Sequence, residues 1–547
     1  MQGLMMHRPL RIIDILTYAA ECFPDEGIVS ASVHEGIHRA TYPEILGRVA
    51  QLARALGTLG IEHGDRVATM AWNSHRHFEL YYAVSGMGAV CHTINPRLSD
   101  EQLIYILHHA NDRILFLDQD FAPAIDRLRD RLPSGLICII LTHTDQMPAT
   151  ETEYLCYEDL LSPHSTQYDW PEFPEDTASG LCYTSGTTGD PKGALYSHRS
   201  TVLHAMMVPL AQTSSFRAGR KIFPVVPMFH VNAWGAPYTA PLMGMTLVMP
   251  GAALDGASLY RLMDTEHVYS AWGVPTVWAG LMAEIEHQNR VPDGFVDLVV
   301  GGSAMARSAI EAFEAKGVGI RQCWGMTETS PVGAHGMAST KLRDTRAEDR
   351  IAAMSNAGSR VFGVDYKIVD ADGNPLPHDG IATGELFVRG NAVISGYYDN
   401  NAATDAAMDN DGWLGTGDVA SVDPIGRLTI TDRAKDLIKS GGEWISSIDL
   451  ENTALSHPEI ATCAVIAMPH PKWDERPVLV AVPIGDERPT LEQLHVHMAP
   501  YFAGWQLPDD IIYVDALPLT ATAKVSKRTL RKQFEGYVLP EFRKGTS

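Results

Sequence analysis

Several common signatures are missing from this chain of 547 residues. Its seven cysteines, at 22, 91, 138, 156, 182, 323 and 463, are scattered, odd in number and nowhere spaced CxxC. That excludes a disulfide framework and a cysteine zinc site, and it fits a reducing cytoplasm. No apolar run approaches the length of a membrane span; the longest, around 136–141, is the size of a core strand, so no transmembrane segment is expected. Arg8, Arg11 and Asp14 interrupt the first apolar residues, which makes a poor signal peptide. Basic charge is scarce: 43 Lys and Arg against 66 Asp and Glu leave a net charge of −23. Such a balance argues against a nucleic-acid partner. The late basic run of Lys524, Lys527, Arg528, Arg531 and Lys532 reads as a solvated helix face, Lys524 excepted. His75, His77, His108 and His109 lack partners at metal spacing. There is no internal repeat and no low-complexity tract.

What is present starts at Tyr183-Thr184-Ser185-Gly186-Thr187-Thr188-Gly189-Asp190-Pro191-Lys192-Gly193. A short apolar run precedes it, and apolar residues at helical spacing follow from Val202, so the loop is expected between a strand and a helix. Glycines let successive N–H groups converge on one anion. The hydroxyls of Thr184, Ser185, Thr187 and Thr188 add donors, and Lys192 adds a mobile positive charge. This is a grip for polyphosphate. It is not the common P-loop, because Asp190-Pro191 follows Gly189 where that motif requires Lys and a hydroxyl residue.

Before the loop, helical and strand patterns alternate: helix 42–59, strand 66–72, helix 77–88, strand 90–94, helix 100–110, strand 113–117. Alternation of this kind implies parallel sheet with crossover helices. After it, strands at 221–226, 245–249, 270–274 and 298–300 continue the series. The first ends in Pro227-Met228-Phe229-His230-Val231-Asn232-Ala233-Trp234, an aromatic cluster placed where an α/β crevice binds ligands. The last runs into Gly301-Gly302-Ser303, which permits close approach of a flat ring. Cys323-Trp324-Gly325-Met326-Thr327-Glu328 supplies an aromatic face, a hydroxyl and a carboxylate suited to one magnesium ion shared with phosphates. From about 345 to 430 the pattern turns to short strands with Gly and Asp turns, a small antiparallel subdomain that carries Asp418 behind three glycines. Residues 432–445 hold three cations, three acids and Gly441-Gly442 ahead of a small α+β tail, the position of a hinge.

Together, and in this order, these motifs resemble the adenylate-forming superfamily along essentially the whole chain, most closely its fatty acyl-CoA synthetase branch. The resemblance implies an α/β fold: a large N-terminal domain of two doubly wound α/β subdomains with a small β-barrel-like subdomain, and a small mobile α+β C-terminal domain. The implied boundaries are 1–431, a hinge at 432–439 and a lid at 440–547. It implies ATP, magnesium and coenzyme A as cofactors, a small carboxylic acid as substrate, and AMP-forming ligation of that acid to CoA. Short- and medium-chain acids and 3-methylmercaptopropionate are expected, with long-chain acids, a carrier protein or an oxygenase reaction as alternatives. A cytoplasmic protein follows, and a homodimer is left open by analogy.

Carried over motif by motif, Thr184, Ser185, Gly186, Thr187, Thr188, Gly189 and Lys192 would hold the β- and γ-phosphates, with Thr184 and Glu328 near magnesium. Gly301, Gly302, Ser303, Gln322, Cys323, Trp324 and Gly325 would cradle adenine, and Thr327 the α-phosphate. Asp418 and Arg433 would take the ribose, Lys435 would be the pivot, and Lys524 would bridge acid and α-phosphate. Lys439, Gly441, Gly442 and Trp444 would serve transfer to CoA. His230 and Trp234 would gate the acyl pocket, with Val231 beside them at the nucleotide, and Trp272 and Trp278 are further candidates to enclose the acid. Trp324 stands where many relatives have tyrosine, and Ala523 stands before Lys524 where glycine is common.

Overall fold

The computed structural model describes residues 1, 3–150, 152–184, 190–210, 216–336, 346–441, 443–520 and 524–540, without the side chains of 347, 348 and 352. Short strands, most of them largely apolar, build a first sheet in the order Leu155–Cys156, Ile137–Ile140, Ile114–Leu117, Arg66–Met70, Val90–Thr93, Ala178–Thr184, Lys192–Ser197. Every neighbouring pair in it is parallel except the last. Such strands, covered on both faces, must be apolar throughout, and Ile114–Leu117 is buried at every position.

A second sheet follows a thirteen-strand path. Its parallel part contains Thr246–Met249, Lys221–Pro224, Ser270–Gly273, Asp297–Val300 and Gly319–Gly325. From there it continues antiparallel through Val332–His335, Gly358–Arg360, Arg427–Arg433, Leu414–Val422, Gly384–Gly390 and Val364–Val369. The antiparallel run thus begins at Val332, before the stretch where Gly and Asp turns become frequent. The other edge is unexpected: the hairpin Gly27–Ser32 and Gly36–Thr41, from the start of the chain, lies parallel on Thr246–Met249. Nothing near residue 27 announces a partner so far along the sequence.

Helices take the bounds that their caps dictate. Tyr42–Thr58 starts at a capping box between Thr41 and Glu44, and Asp100–Ala110 at one between Ser99 and Gln102. Helix His75–Gly86 is buried along its whole length between the two sheets. Two of its polar residues are well paired: His77 bonds Thr69 and the Trp72 carbonyl, and Glu79 takes Arg48 at 2.7 Å and Tyr157 at 2.6 Å. The tail is a third sheet, Ile438–Ser440, Glu443–Ile445, Ile460–His470, Asp474–Pro483 and Asp510–Tyr513, with helices Ser447–Ala454, Leu491–Met498 and Lys527–Gln533. Among the described residues no helix is long and apolar enough to cross a membrane.

Candidate active site

The first sheet delivers Thr184 at the carboxyl end of Ala178–Thr184, the strand next to its edge. The loop that follows does not lead into a helix: Lys192–Ser197 pairs back antiparallel, with Lys192 opposite Thr184, and the helix starts only at His198. The chain thus returns as a second strand rather than entering a helix, which leaves Thr184 and Lys192 at the same level. Ser185, Gly186, Thr187, Thr188 and Gly189 lie outside the described residues. The Lys192 ammonium sits 4.9 Å from the ring centre of Tyr397, whose hydroxyl donates to Glu328 at 2.7 Å.

The second sheet supplies the opposite wall. Gly301 and Gly302 follow Asp297–Val300, and Trp324 and Gly325 sit at a bulge closing Gly319–Gly325. A Cβ on Gly301 would fall 2.7 Å from Cys323 Sγ and 2.9 Å from the Trp234 ring, so that glycine is there for want of space. Gln322 is buried and braces this wall through the amide of Met305 at 2.9 Å and the carbonyl of Met354. Thr327 and Glu328 follow in a short 3-10 turn, and Tyr196 donates to the Thr327 carbonyl at 2.6 Å. Ser303 is exposed.

Asp418 and Arg433 face each other across adjacent strands and form an ion pair at 2.8 Å. The Trp324 indole N–H donates to the other Asp418 oxygen at 2.8 Å. Trp324 therefore contributes a donor as well as an aromatic face, which the comparison with tyrosine had not suggested. A carboxylate has about four acceptor positions, so Asp418 keeps capacity for a diol. Burial pushes its pKa up, opposed by Arg433, Trp324 and Lys524. Burial likewise raises Glu328, opposed by Tyr397, Arg433 and Lys192. A buried carboxylate short of positive charge fits a bound cation. Among the described residues no group of three or more His, Cys, Asp or Glu could hold a metal alone. Glu328 and Thr184 would offer one carboxylate and one hydroxyl, a set that fits magnesium shared with phosphate oxygens.

Lys524 enters from the tail. It stands on a loop closed by Thr520, whose hydroxyl accepts from the Lys524 amide at 3.2 Å. Its stem lies on Gly302: a Cβ there would be 3.0 Å from Lys524 Cε and 3.5 Å from Nζ. Burial, helped by Arg433 and opposed by Asp418, pushes this ammonium down to about 8. His230 is pushed down to about 3 by burial and then by Lys524, which favours its neutral form.

The segment after His230 is the site's least predictable feature. Val231, Asn232, Ala233 and Trp234 all have φ between 43° and 56°, ahead of Gly235 at 80°. A left-handed turn of L-residues costs roughly 1–2 kcal/mol per residue, most for a β-branched one. Surrounding bonds enforce it. The Asn73 side chain donates to the carbonyls of Pro224 and Val226 and accepts from Met228 N, and Tyr81 donates to the Met228 carbonyl and Asn232. The turn lays Trp234 against Gly301. Trp278 lies apart, wholly buried in the second core against Gly273, whereas Trp272 shares the buried cluster of Val231 and Trp234 and packs edge-on to Phe216.

Of the hinge candidates, Lys435 is exposed, with its pKa lowered, chiefly by desolvation. Asp432, 1% exposed, accepts from the Ser447 amide and hydroxyl at 2.7 and 2.5 Å. The terminal basic helix is not simply solvated: Lys527 pairs with Glu451 at 2.7 Å and Arg531 with Asp436 at 2.8 Å. Lys439 and Trp444 stay exposed, the Lys439 amide bonds Glu475, and Gly441 packs under Trp473. The structure gathers the Lys524 face at the site and leaves the Lys439–Trp444 face outside; Gly442 lies outside the described residues. Tyr397, Tyr196 and Asn73 were missed by sequence reasoning, and only the Gly396-Tyr397-Tyr398 cluster offered a hint.

Residues 16–398 match the model of the AMP-binding enzyme family, and 449–524 match the AMP-binding enzyme C-terminal domain. The chain is 46% identical over 541 residues to a 3-methylmercaptopropionyl-CoA ligase of Ruegeria lacuscaerulensis, covering 98% of this chain and 99% of that one. It is 44% identical to a medium-chain-fatty-acid–CoA ligase of Ectopseudomonas oleovorans, covering 98% of each. A long-chain-fatty-acid–CoA ligase of Thermus thermophilus is also 44% identical, over 97% of each. In fold it matches the anthranilate CoA ligase AuaEII in complex with anthranoyl-AMP, with TM-score 0.84, 24% identity and coverage of 96% and 98%. Family model, full-length relatives and fold agree: this chain belongs to the AMP-binding enzyme family.

Proposed function

We propose that this enzyme activates a short- or medium-chain carboxylic acid, 3-methylmercaptopropionate included, with a long-chain acid as the second reading. The chain is an ATP-dependent, AMP-forming acyl-CoA ligase. A carboxylate is a poor acyl donor because oxide would have to leave. Its oxygen instead attacks the α-phosphorus of ATP, pyrophosphate leaves, and the acid becomes an acyl-AMP. The thiolate of CoA then attacks the acyl carbon, and AMP leaves.

The observation that carries this reading is Lys524 laid against Gly302 beside Asp418 and Arg433. A lysine there meets the α-phosphate and the incoming carboxylate together, and it offsets the charge that builds as they join. Lys192 faces the departing pyrophosphate, Thr327 the α-phosphate, and Asp418 with Arg433 the ribose. Magnesium, held by Glu328 with Thr184, supplies neutralisation of phosphate charge when bound. The reaction needs positioning and charge, so a protein nucleophile is unnecessary.

Neutral His230 and the Trp234 ring bound the space open to the acyl group. Division at 1–431, 432–439 and 440–547, with rotation about Lys435, would replace Lys524 by the Lys439–Trp444 face for the second step. A cytoplasmic setting and a homodimer complete the reading. AMP release from a panel of acids, propionate to palmitate with 3-methylmercaptopropionate among them, is the test. A maximum at or below medium chain length is expected, and a maximum at palmitate would overturn the choice of acid.

A further inference from the structure

Glu328 and Lys192 come from different sheets, yet they must act on one triphosphate. Among the described residues, a direct backbone tie runs between them. That tie is the short segment 394–398. The Ile394 amide donates to the Glu328 carbonyl at 2.9 Å, and the Tyr398 amide donates to the Gly193 carbonyl at 2.8 Å. Four residues of chain span at most about 14 Å, so this segment ties the backbone at Glu328 to the backbone beside Lys192. The segment is itself anchored: the Tyr397 amide donates to Thr404 Oγ1 at 2.9 Å, and Thr404 sits in helix Asn401–Ala407, capped by Asn400. A Cβ on Gly396 would come 2.9 Å from the Thr404 side chain, so the approach requires glycine.

Between the two tied points stands Tyr397. Its hydroxyl donates to Glu328 Oε1 at 2.7 Å and its ring faces the Lys192 ammonium at 4.9 Å. We infer that Tyr397 is a positioning residue for the magnesium–triphosphate site: its hydroxyl orients the Glu328 carboxylate toward the cation while its ring holds Lys192 toward the phosphates. The inference rests on the role given to Glu328 above. A tyrosine suits both tasks. A donor on one carboxylate oxygen fixes the rotation of the group and leaves the other oxygen for the ion, as hydrogen-bonded partners of metal ligands do. The electron-rich face attracts an ammonium without neutralising it, so the charge stays available to phosphate.

The test separates hydroxyl from ring. Affinity for ATP is measured by calorimetry with magnesium present and again with EDTA in its place, on the full chain. Tyr397→Phe keeps the ring and loses the hydroxyl. It should weaken binding of magnesium–ATP about tenfold, the low end for loss of such a partner, and leave the EDTA value within twofold. Tyr397→Leu, which loses both, should weaken the two values alike beyond that point. Thermal unfolding of Tyr397→Phe should match the parent chain. If Tyr397→Phe leaves both affinities unchanged, or weakens both equally, the positioning role is overturned. If the parent chain binds ATP equally with magnesium and with EDTA, the assignment of Glu328 falls first and takes this inference with it.

Discussion

Lys524 and Lys439 belong to the same small lobe, and their surroundings could hardly differ more. Lys524 is partly buried, pressed on Gly302 and pushed down to about 8 by burial. Lys439 is exposed and bonded only through its amide among the contacts described, to Glu475. The contrast shows how one site can host two chemistries. Enclosure excludes water and strengthens each charge on the reacting atoms, but only one face of the lobe can be enclosed at a time. The structure has the Lys524 face in.

The strongest way to break this comparison is to remove each lysine in turn. Lys524→Ala should slow acid-dependent pyrophosphate release about 10²-fold or more, while transfer from supplied acyl-AMP to CoA changes far less. Lys439→Ala should show the reverse. Equal losses in both steps for either variant would erase the distinction between the faces.

A pH profile sharpens it. Lys524 must be protonated to offset developing charge, and its amine is charged below about 8. Adenylation under kcat/KM conditions should therefore fall as pH rises through about 8, approaching tenfold per unit above it. Lys524→Arg, always charged, should abolish that limb even if it lowers the rate. A limb that survives in Lys524→Arg would assign the titration elsewhere.

Smaller effects test the walls. Trp324→Phe keeps an aromatic face but takes the N–H from Asp418; losing a hydrogen bond to a charged group costs about 1.5 kcal/mol, or roughly tenfold in KM for ATP. Unchanged KM would mean that the ring face alone matters. Trp234→Ala should shift the preferred acyl chain length, with KM for ATP altered less than about twofold. An unchanged acid profile would return Trp234 to the core. Least of all, Arg531→Ala should change the ratio of the two half-reaction rates by about twofold to threefold, since partly exposed ion pairs contribute under about 1 kcal/mol.

Much of this was legible in the residues. Periodicity found the helices and strands of the first sheet because they are fully apolar or cleanly amphipathic, and caps such as Thr41 with Glu44 mark their starts. Motif chemistry placed Asp418, Arg433, Trp324 and Lys524 in one site, and they do converge. Three things escaped. The return strand Lys192–Ser197 was hidden because a glycine-rich loop permits a hairpin as readily as a helix start. The left-handed turn at Val231–Trp234 is imposed by Asn73 and Tyr81, far back in the chain, against the local preference of its own residues. Tyr397 acts through distant partners, Glu328 and Lys192, that no local window contains.

The opening hairpin has one more consequence. Gly27 lies 219 positions before Thr246, whose hydroxyl accepts from its amide in the finished sheet. On a ribosome, the strand Gly27–Ser32 emerges long before the strand it will dock against has been made. Its first four residues are all destined for burial. Until then it is an adhesive edge that a chaperone or a neighbouring nascent chain can capture. Synthesis rate across the first half of the message should therefore govern the yield of native enzyme more than any substitution at the catalytic cleft.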